Sequence, residues 1–252
     1  MKKKIWMIVG AVILLAGLVV GGIGLSKYLE QRNAGETYEE LKEDFDIEPL
    51  VDIPTIEETV ENPIDFKTLT AKYPDIYAWI RVPGTNIDYP IVQHPTDNSY
   101  YLNHTIEGKK RVAGAIFTEN YNTKDFNDPN TLIYGHNMKN GSMFRTLHKF
   151  EDKKFFEENT EVFIYQEGRV LRYRIFAAYL TGDEHILFQY DMHDPNIFRI
   201  YLNNVLTNKN MRSNIDTRVE VSENDKIITL CTCGARDDQR YLVQAVLISI
   251  QE

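Results

Sequence analysis

The sequence predicts a mainly β protein whose strands close, or nearly close, into a barrel. About nine runs rich in Ile, Val, Tyr and Phe lie within roughly 190 residues, and clusters of Gly, Asn, Asp and Pro separate them. Helical patterns between these runs are few, which favours a barrel over an alternating strand–helix fold. The hydrophobic share of 43% is enough to build a packed core.

An apolar run near the N-terminus is the first strongly patterned segment. Three lysines at positions 2–4 precede an uncharged run over residues 5–25, close to the ~20 residues that cross a bilayer as a helix. A cleaved signal peptide has a shorter apolar region of roughly 7–15 residues and a small-residue cleavage site, and the sequence shows no such site. We therefore predict a single-pass signal-anchor over 5–25, with residues 1–4 in the cytoplasm and the rest of the chain outside the cell membrane.

An acidic segment follows the apolar run. Residues 36–64 carry eleven Asp and Glu side chains and one lysine, whereas the whole chain has a net charge of −9. Pro49, Pro54 and Pro63 interrupt any long helix there. We predict that residues 26–64 form an acidic stalk or N-terminal helices that hold the next domain away from a membrane. The remaining chain lacks the basic excess that nucleic-acid binding requires.

A folded domain is predicted over residues 65–252. It opens with a short helical pattern in FKTLTAK, and the turn sequence PGTN separates the first two strands. Apolar residues at helical spacing predict further helices over 142–150 and 196–206, and an Asp-Pro pair is a suitable start for the second. The predicted strands are 77–82, 87–92, 113–118, 131–136, 161–166, 169–180, 218–222, 226–233 and 240–250.

The two cysteines of the chain, Cys231 and Cys233, lie in the strand pattern KIITLCTC. Outside the cytosol, paired cysteines usually form disulfides. Positions i and i+2 of a strand, however, stand about 6.5–7 Å apart with parallel side chains, which does not suit a disulfide. The chain therefore keeps two free thiols, which either pack as small buried hydrophobic residues or include a nucleophile.

Strand alternation puts both thiols on the same face, so it does not choose between them. Position along the strand is more informative. Gly234 and the polar run ARDDQ follow Cys233, which therefore ends the strand, whereas Cys231 lies one pleat further in. A thiol at a strand end is easier for a substrate to reach, which favours Cys233 as the candidate nucleophile.

A thiol nucleophile needs a basic partner, and the sequence offers two notable histidines. His136 ends the apolar pattern TLIY and opens the polar loop YGHNMKNG, a position at which rigid scaffolds present catalytic groups. The alternative is a loop histidine that faces water. His148 lies on an apolar helix face, so we expect it to be structural.

A cation is expected beside the candidate nucleophile. Arg240 begins the strand pattern that returns from the cysteines, where it could donate two hydrogen bonds to a developing oxyanion. Two competing interpretations are that Arg240 pairs with Asp237 or Asp238 at the surface, and that Arg236 is the relevant cation.

Together these motifs resemble the sortase family, and class B sortases most closely. The matching features are TLCTC at 229–233, the histidine in LIYGHNM, and an arginine that begins the strand after the cysteines. The stretches YAWIRVPGTNIDYPIVQ and DNSYYLNH add support. The resemblance covers roughly residues 65–250. It implies an eight-stranded β-barrel with N-terminal helices and a helix in the long loop at 182–212, before the last strands.

The resemblance implies a role for each candidate residue. Cys233 matches the family nucleophile, His136 the general acid/base, and Arg240 the residue that stabilises the oxyanion and the substrate. Asn98 matches a position near the bound substrate, with helix capping as the competing role. Cys231 occupies a variable position of the motif, where it either contributes to substrate binding or simply packs.

The implied activity is transpeptidation by a membrane-anchored cysteine enzyme. The enzyme would cleave a C-terminal sorting motif of secreted proteins and join them to a cell-wall peptidoglycan amine or, alternatively, to a pilin lysine. We expect no cofactor and no metal, since the carboxylates in DFND at 125–128 lack the spacing of a calcium loop. Two competing hypotheses are a cysteine hydrolase and a membrane-tethered, sortase-like binding module.

Overall fold

The structure, a computed structural model, describes residues 2–49, 60–236 and 238–252, with residues 2–14 and 27 described by their backbone alone. The helices are α1 (Lys2–Arg32), α2 (Glu36–Asp44), α3 (Phe66–Lys72), α4 (Lys153–Glu158), α5 (Ile186–Gln189) and α6 (Pro195–Leu206), and 3₁₀ helices span Tyr100–Leu102 and Phe144–Glu151. The strands are β1 (Ile76–Val82), β2 (Ile87–Val92), β3 (Ile116–Phe117), β4 (Asn130–Tyr134), β5 (Glu161–Gln166), β6 (Arg169–Thr181), β7 (Asn214–Ile215), β8 (Ile227–Cys233) and β9 (Arg240–Gln251).

The described strands close into a barrel. Neighbouring strands pair in the order β5-β1-β2-β3-β4-β8-β9-β6, and β5 also pairs with β6, which closes a ring of eight. The short strand β7 pairs with β6 outside that ring. The β2–β3 and β4–β8 pairs are parallel, and the other pairs are antiparallel. The predicted mainly β fold, an eight-stranded barrel with N-terminal helices, is therefore confirmed.

Strand β8 divides two hydrophobic cores, because its side chains alternate between the two faces of the sheet. Ile228 and Leu230 pack into the larger core, whereas Ile227 and Cys231 pack into a second core. Helix α6, in the insertion between β6 and β7, covers the second core. The side chains that α6 buries there are Phe198, Tyr201, Leu202 and Val205. The face of β8 that carries the thiols is therefore the one that faces the helical insertion.

The predicted stalk, residues 26–64, contains a helix that packs on the barrel. Helix α2 buries Tyr38 and Leu41 in the larger core. The Tyr38 ring meets the Tyr89 ring edge-on with centroids 5.4 Å apart, and its hydroxyl donates to the Gly114 carbonyl oxygen at 2.6 Å. Within this segment, α2 is therefore an N-terminal helix that packs on the barrel, and the predicted division of the chain at residue 65 stays a prediction. Residues 50–59 lie outside the described residues.

Helix α1 contains the predicted membrane anchor over residues 5–25. The side chains of residues 5–14 lie outside the described residues, and those of residues 15–25 are exposed. Across the described residues, no helix is both long enough and apolar enough to span a bilayer. The anchor therefore stays a prediction.

The predicted strand over residues 218–222 is wrong. The Asp216 carboxylate accepts hydrogen bonds from the Arg218 backbone N–H at 3.1 Å and from the Arg218 guanidinium at 2.7 and 2.9 Å. Such local side-chain bonds compete with strand pairing. Strand β6 pairs instead with β7, a few residues earlier in the chain.

The helix predicted over residues 142–150 forms as the 3₁₀ helix Phe144–Glu151. A 3₁₀ helix has three residues per turn, so side chains three positions apart lie in one row. Phe144, Leu147 and Phe150 form such a row and are fully buried. Apolar spacing over so few residues predicts a helix but does not distinguish the 3₁₀ from the α form.

We expect Tyr38→Ala to lower the free energy of unfolding by about 3 kcal/mol, because it leaves a cavity and removes the hydrogen bond to Gly114. Urea unfolding followed by circular dichroism measures the change. Glu40→Ala, at an exposed position of the same helix, is the control and should change stability by less than about 0.5 kcal/mol. Equal unfolding midpoints for wild type and Tyr38→Ala would show that α2 does not stabilise the barrel.

Candidate active site

The end of strand β8 presents Cys233 to solvent. Backbone pairing sets Cys233 opposite Arg240, the first residue of β9, and Cys231 opposite Leu242. Both cysteines are free thiols, and Cys233 is exposed whereas Cys231 is buried. The thiol that its place in the sequence favours is therefore also the accessible one.

Burial separates the chemistry of the two thiols. It raises the pKa of the Cys231 thiol to about 12, although the positive charge of Arg240 acts in the opposite direction. A thiol with such a pKa is protonated at neutral pH and is a poor nucleophile. Cys231 is therefore suited to packing and to lining a cavity, and not to covalent chemistry.

Parallel pairing of β4 with β8 brings His136 to the level of Cys233. Tyr134 is the last β4 residue in the ladder, and its partner lies two residues before Cys233. Two further residues along each strand direction lead from Tyr134 to His136 and from Cys231 to Cys233. The Thr232 hydroxyl donates to the Gly135 carbonyl oxygen at 2.7 Å, so contact between the two chains extends beyond the ladder.

A backbone contact orients the ring of His136. Its Nε2 lies 2.7 Å from the Leu102 carbonyl oxygen, which only accepts, so Nε2 carries a proton. Nδ1 is then the basic nitrogen of the neutral ring. The preceding residue, Gly135, has no room for a side chain: a Cβ there would lie 2.5 Å from Ile116 Cδ1 and 2.6 Å from Phe144 Cγ.

Arg240 lines a groove beside β8. Burial raises the pKa of the Tyr134 hydroxyl in this groove, and the charge of Arg240 acts to lower it, as it does for Cys231. Asp238, one of the two surface partners that the sequence offers Arg240, is exposed and accepts two hydrogen bonds from Arg236, at 2.9 and 3.1 Å. Asp237 lies outside the described residues. Arg240 therefore lies in the wall of the groove, whereas Arg236 pairs with an exposed carboxylate and does not line the groove.

The groove has a volume of about 290 Å³ and a mostly apolar wall. It lies between the outer face of the barrel and the insertion that follows β6. The apolar side chains that line it include Leu102, Phe117, Leu132, Ile186 and Leu242. Cys231 is part of the same wall, so its predicted position near a substrate is compatible with the structure.

Asn98 also lines the groove. Its Oδ1 accepts a hydrogen bond from the Asn120 backbone N–H at 2.8 Å, which joins two loops at the rim. The residue that precedes the Tyr100–Leu102 helix is Ser99, so Asn98 does not occupy the capping position. Its role in substrate binding stays a prediction.

A hydrogen-bonded contact between His185 and Glu119 in the groove was not expected from the sequence. His185 Nε2 lies 2.5 Å from Glu119 Oε2 and 3.3 Å from the Tyr134 hydroxyl. The imidazole also stacks on Phe188, with ring centroids 4.1 Å apart. Because these residues come from separate segments of the chain, no spacing in the sequence marks them as a group.

His148 packs on Tyr241, and both of its ring nitrogens also have polar partners. Its Nε2 lies 3.0 Å from the Cys233 carbonyl oxygen, and Asn137 Nδ2 donates to the same oxygen at 2.9 Å. His148 Nδ1 lies 2.8 Å from Glu151 Oε1. Two sequence signals could have identified these residues: Asn137 directly follows His136, and Glu151 lies three positions after His148.

The carboxylates of the DFND stretch have partners within the protein. The Thr123 hydroxyl lies 2.6 Å from Asp125 Oδ1 and 2.9 Å from Asp128 Oδ2. Hydrogen bonds from Thr123 and from Asn127 lower the pKa of Asp125 to about 2. Over the described ranges, no group of three or more His, Cys, Asp and Glu side chains is arranged to hold a metal ion.

Comparisons with known proteins agree on one family. The family model described as the sortase domain matches residues 80–248. Sortase B of Listeria monocytogenes is 39% identical over 179 residues, which cover 69% of this chain and 70% of that protein. Sortase B of Staphylococcus aureus is 24% identical over 254 residues, which cover 99% of this chain and 100% of that protein.

Solved structures give the same result. The X-ray structure of Clostridium perfringens sortase B has a TM-score of 0.64 and 33% identity, and the match covers 73% of this chain and 99% of that one. A Staphylococcus aureus sortase B–substrate complex has a TM-score of 0.65 and 28% identity, with coverage of 73% and 84%. The described barrel is therefore similar to these structures in both topology and sequence.

We expect iodoacetamide to label the native protein at Cys233 alone. Cys231 is buried, and its pKa of about 12 leaves roughly one thiolate in ten thousand at pH 8. Cys233→Ala should therefore take up no label until urea unfolds the protein, whereas Cys231→Ala should be labelled as readily as wild type. Mass spectrometry of the labelled peptides measures both. Rapid labelling of native Cys233→Ala would contradict the assignment.

Proposed function

The chain belongs to the sortase family, and we propose that it cleaves a C-terminal sorting motif of secreted proteins through a thioacyl intermediate on Cys233. Its relatives identify it as a class B cysteine transpeptidase. One observation carries the proposed mechanism: an exposed Cys233 thiol stands opposite Arg240 and at the level of His136. Nucleophile, acid/base and oxyanion partner are the three groups that thioacyl transfer requires.

In the first half of the reaction, the Cys233 thiol gives its proton to Nδ1 of His136, and the resulting thiolate attacks the carbonyl carbon of the scissile peptide bond. A carbon–sulfur bond forms, and the carbonyl oxygen becomes an oxyanion that accepts hydrogen bonds from the Arg240 guanidinium. The carbon–nitrogen bond then breaks, and His136 donates a proton to the leaving amine. The N-terminal part of the substrate stays on Cys233 as a thioester.

In the second half, an incoming amine attacks the thioester carbon. His136 accepts the proton that the amine loses, the carbon–sulfur bond breaks, and the Cys233 thiolate is released. The net reaction exchanges one amide for another and is therefore nearly thermoneutral. It consumes no nucleoside triphosphate.

The groove beside β8 is the proposed binding site of the sorting motif. Its mostly apolar wall includes Cys231, and its rim includes Asn98 and Arg240, so a short peptide would meet apolar side chains on one side and polar groups at the edge. Membership of the family implies substrates with sorting motifs and a peptidoglycan amine as the acceptor. We propose this cell-wall amine as the acceptor; a pilin lysine and water are the competing acceptors.

We expect Cys233→Ala to abolish peptide transfer, because no other accessible thiol is available in the described site. Loss of the acid/base in His136→Ala should lower kcat about 1,000-fold. Loss of the oxyanion partner in Arg240→Ala should lower kcat about 100-fold. The assay is incubation of the full chain in detergent with a library of sorting-motif peptides and a triglycine or lysine amine, read by mass spectrometry.

Two variants control for nonspecific damage. Arg236→Ala removes an arginine from the same loop that pairs only with exposed Asp238 in the described contacts, and Cys231→Ala removes the buried thiol. Arg236→Ala should keep wild-type transfer activity. Cys231→Ala should keep the chemical step, although it changes the wall of the groove. Cleavage with no dependence on the added amine would identify a hydrolase. If Cys233→Ala retained full activity in cells, a binding module would replace the enzyme as the function.

We propose that the catalytic domain lies outside the cell membrane and that the helix over residues 5–25 anchors it there. The support for this placement is the uncharged run that follows three N-terminal lysines. We expect the full chain to sediment with membranes and to resist carbonate extraction, whereas residues 36–252 should stay in the supernatant. Release of the full chain by carbonate would contradict an integral anchor.

A further inference from the structure

The peptide unit that follows the candidate nucleophile is held from both sides. The Cys233 carbonyl oxygen accepts a hydrogen bond from Asn137 Nδ2 at 2.9 Å and lies 3.0 Å from His148 Nε2. On the other side, the Gly234 backbone N–H donates to the Gln239 carbonyl oxygen at 2.9 Å. A peptide unit is planar. These contacts therefore fix its orientation and, with it, the direction in which the Cys233 side chain leaves the backbone.

The 3₁₀ helix Phe144–Glu151 supplies a polar row behind these contacts. With three residues per turn, Arg145, His148 and Glu151 stand in line along the helix. Arg145 Nη1 donates to Asn137 Oδ1 at 2.9 Å, and His148 Nδ1 lies 2.8 Å from Glu151 Oε1. An α-helix would spread these three positions over about a third of its circumference. Because the helix is 3₁₀, the side chains of Arg145, His148 and Glu151 lie on the same side, which faces the end of β8.

The donors and acceptors of this row determine the direction of each hydrogen bond. Arg145 can only donate, so Asn137 Oδ1 is the acceptor and Asn137 Nδ2 is the donor. One hydrogen of that Nδ2 is donated to the Cys233 carbonyl oxygen. The other faces His148 Nε2, 3.1 Å away, which accepts it when the ring is neutral. The Glu151 carboxylate accepts from His148 Nδ1.

The Cys233 carbonyl oxygen accepts a hydrogen bond in either protonation state of His148. In the neutral ring with a proton on Nδ1, Nε2 accepts from Asn137, and Asn137 donates its other hydrogen to the Cys233 carbonyl oxygen. In the imidazolium, Nε2 donates to that oxygen directly. The Cys233 carbonyl oxygen therefore has at least one donor in both states.

Packing alone does not account for His148. Its ring stacks on Tyr241 with centroids 4.8 Å apart, a contact that any flat ring could make. Packing does not require one ring nitrogen to reach a backbone oxygen or the other to meet a carboxylate. Both nitrogens have partners at hydrogen-bond distance, in a side chain that is 18% exposed.

We propose that His148, oriented by Glu151, is a positioning residue that acts with Asn137 to hold the Cys233 peptide unit and aim its thiol. The proposal rests on the proposed role of Cys233 as the nucleophile. Asn137 directly follows His136 in the chain. The same contacts therefore also set the spacing between the loop of the acid/base and the strand of the nucleophile.

Two substitutions of His148 test its two ring nitrogens separately. The amide of glutamine reaches about as far as Nε2 and can donate to the Cys233 carbonyl oxygen. The amide of asparagine reaches only about as far as Nδ1, beside Glu151. We expect His148→Asn to lower the kcat of peptide transfer about tenfold with KM changed less than about twofold, since misplacement of a reacting atom affects the chemical step. His148→Gln should keep most of the wild-type kcat.

A second measurement needs no substrate. The rate at which iodoacetamide labels Cys233, measured as a function of pH for the full chain, reports the surroundings of the thiol. We expect slower labelling in His148→Asn and near wild-type labelling in His148→Gln. Failure of the wild-type protein to transfer any peptide would count against the proposed function, whereas the labelling rates would still decide the positioning role.

His193→Gln is the matched control, because it replaces a histidine whose side chain is 71% exposed. Thermal unfolding of every variant separates positioning from stability. The proposal is overturned if His148→Asn has wild-type kcat and labelling. It is also overturned if His148→Asn and His148→Gln lose activity equally and both have a lower Tm, because that pattern indicates packing alone.

Discussion

The register of β8 between β4 and β9 is the constraint on which the candidate active site depends. Antiparallel pairing with β9 sets Cys233 opposite Arg240, and parallel pairing with β4 brings His136 to the same level. Side-chain direction in a strand has a period of two, so a slip of one residue in either pairing would turn one of these side chains to the other face. Closure of the barrel through β5 and β6 leaves the central strands no free edge along which to slip.

The second core explains how one strand carries two thiols with different chemistry. Cys231 is buried in the second core, to which helix α6 also contributes, whereas Cys233 at the end of β8 is exposed. Burial raises the pKa of Cys231, so this thiol does not compete with Cys233. The same insertion forms one wall of the groove. Packing of the insertion on the outer face of the barrel therefore forms the groove and also leaves Cys233 as the accessible thiol.

A series of contacts joins the N-terminal helix to the candidate site. Tyr38 of α2 packs on Tyr89, whose hydroxyl accepts a hydrogen bond from the Met143 backbone N–H at 3.0 Å. Met143 has a φ of 56°, an unfavourable value for a residue with a side chain, and it is fully buried where the 3₁₀ helix begins. That helix carries His148 to the end of β8. The docking of α2 and the geometry of the site therefore share one packed unit.

Strand periodicity predicted a closed or nearly closed barrel, because that feature depends on local pattern. The resemblance to the sortase family implied its eight strands and the candidate set Cys233, His136 and Arg240, whose roles stay a prediction. Contacts between distant segments were not predictable: α2 docks on the barrel, and His148 reaches the Cys233 backbone, only because barrel closure brings their segments together. A nine-residue apolar pattern also does not distinguish a 3₁₀ from an α-helix. The sequence by itself determined the fold class and the candidate chemical groups. The position of Cys233 at a strand end already favoured it as the accessible thiol. Only the tertiary structure decided that Cys231 packs into a second core and what holds Cys233 in place, because burial and hydrogen bonding depend on segments that are far apart in the chain.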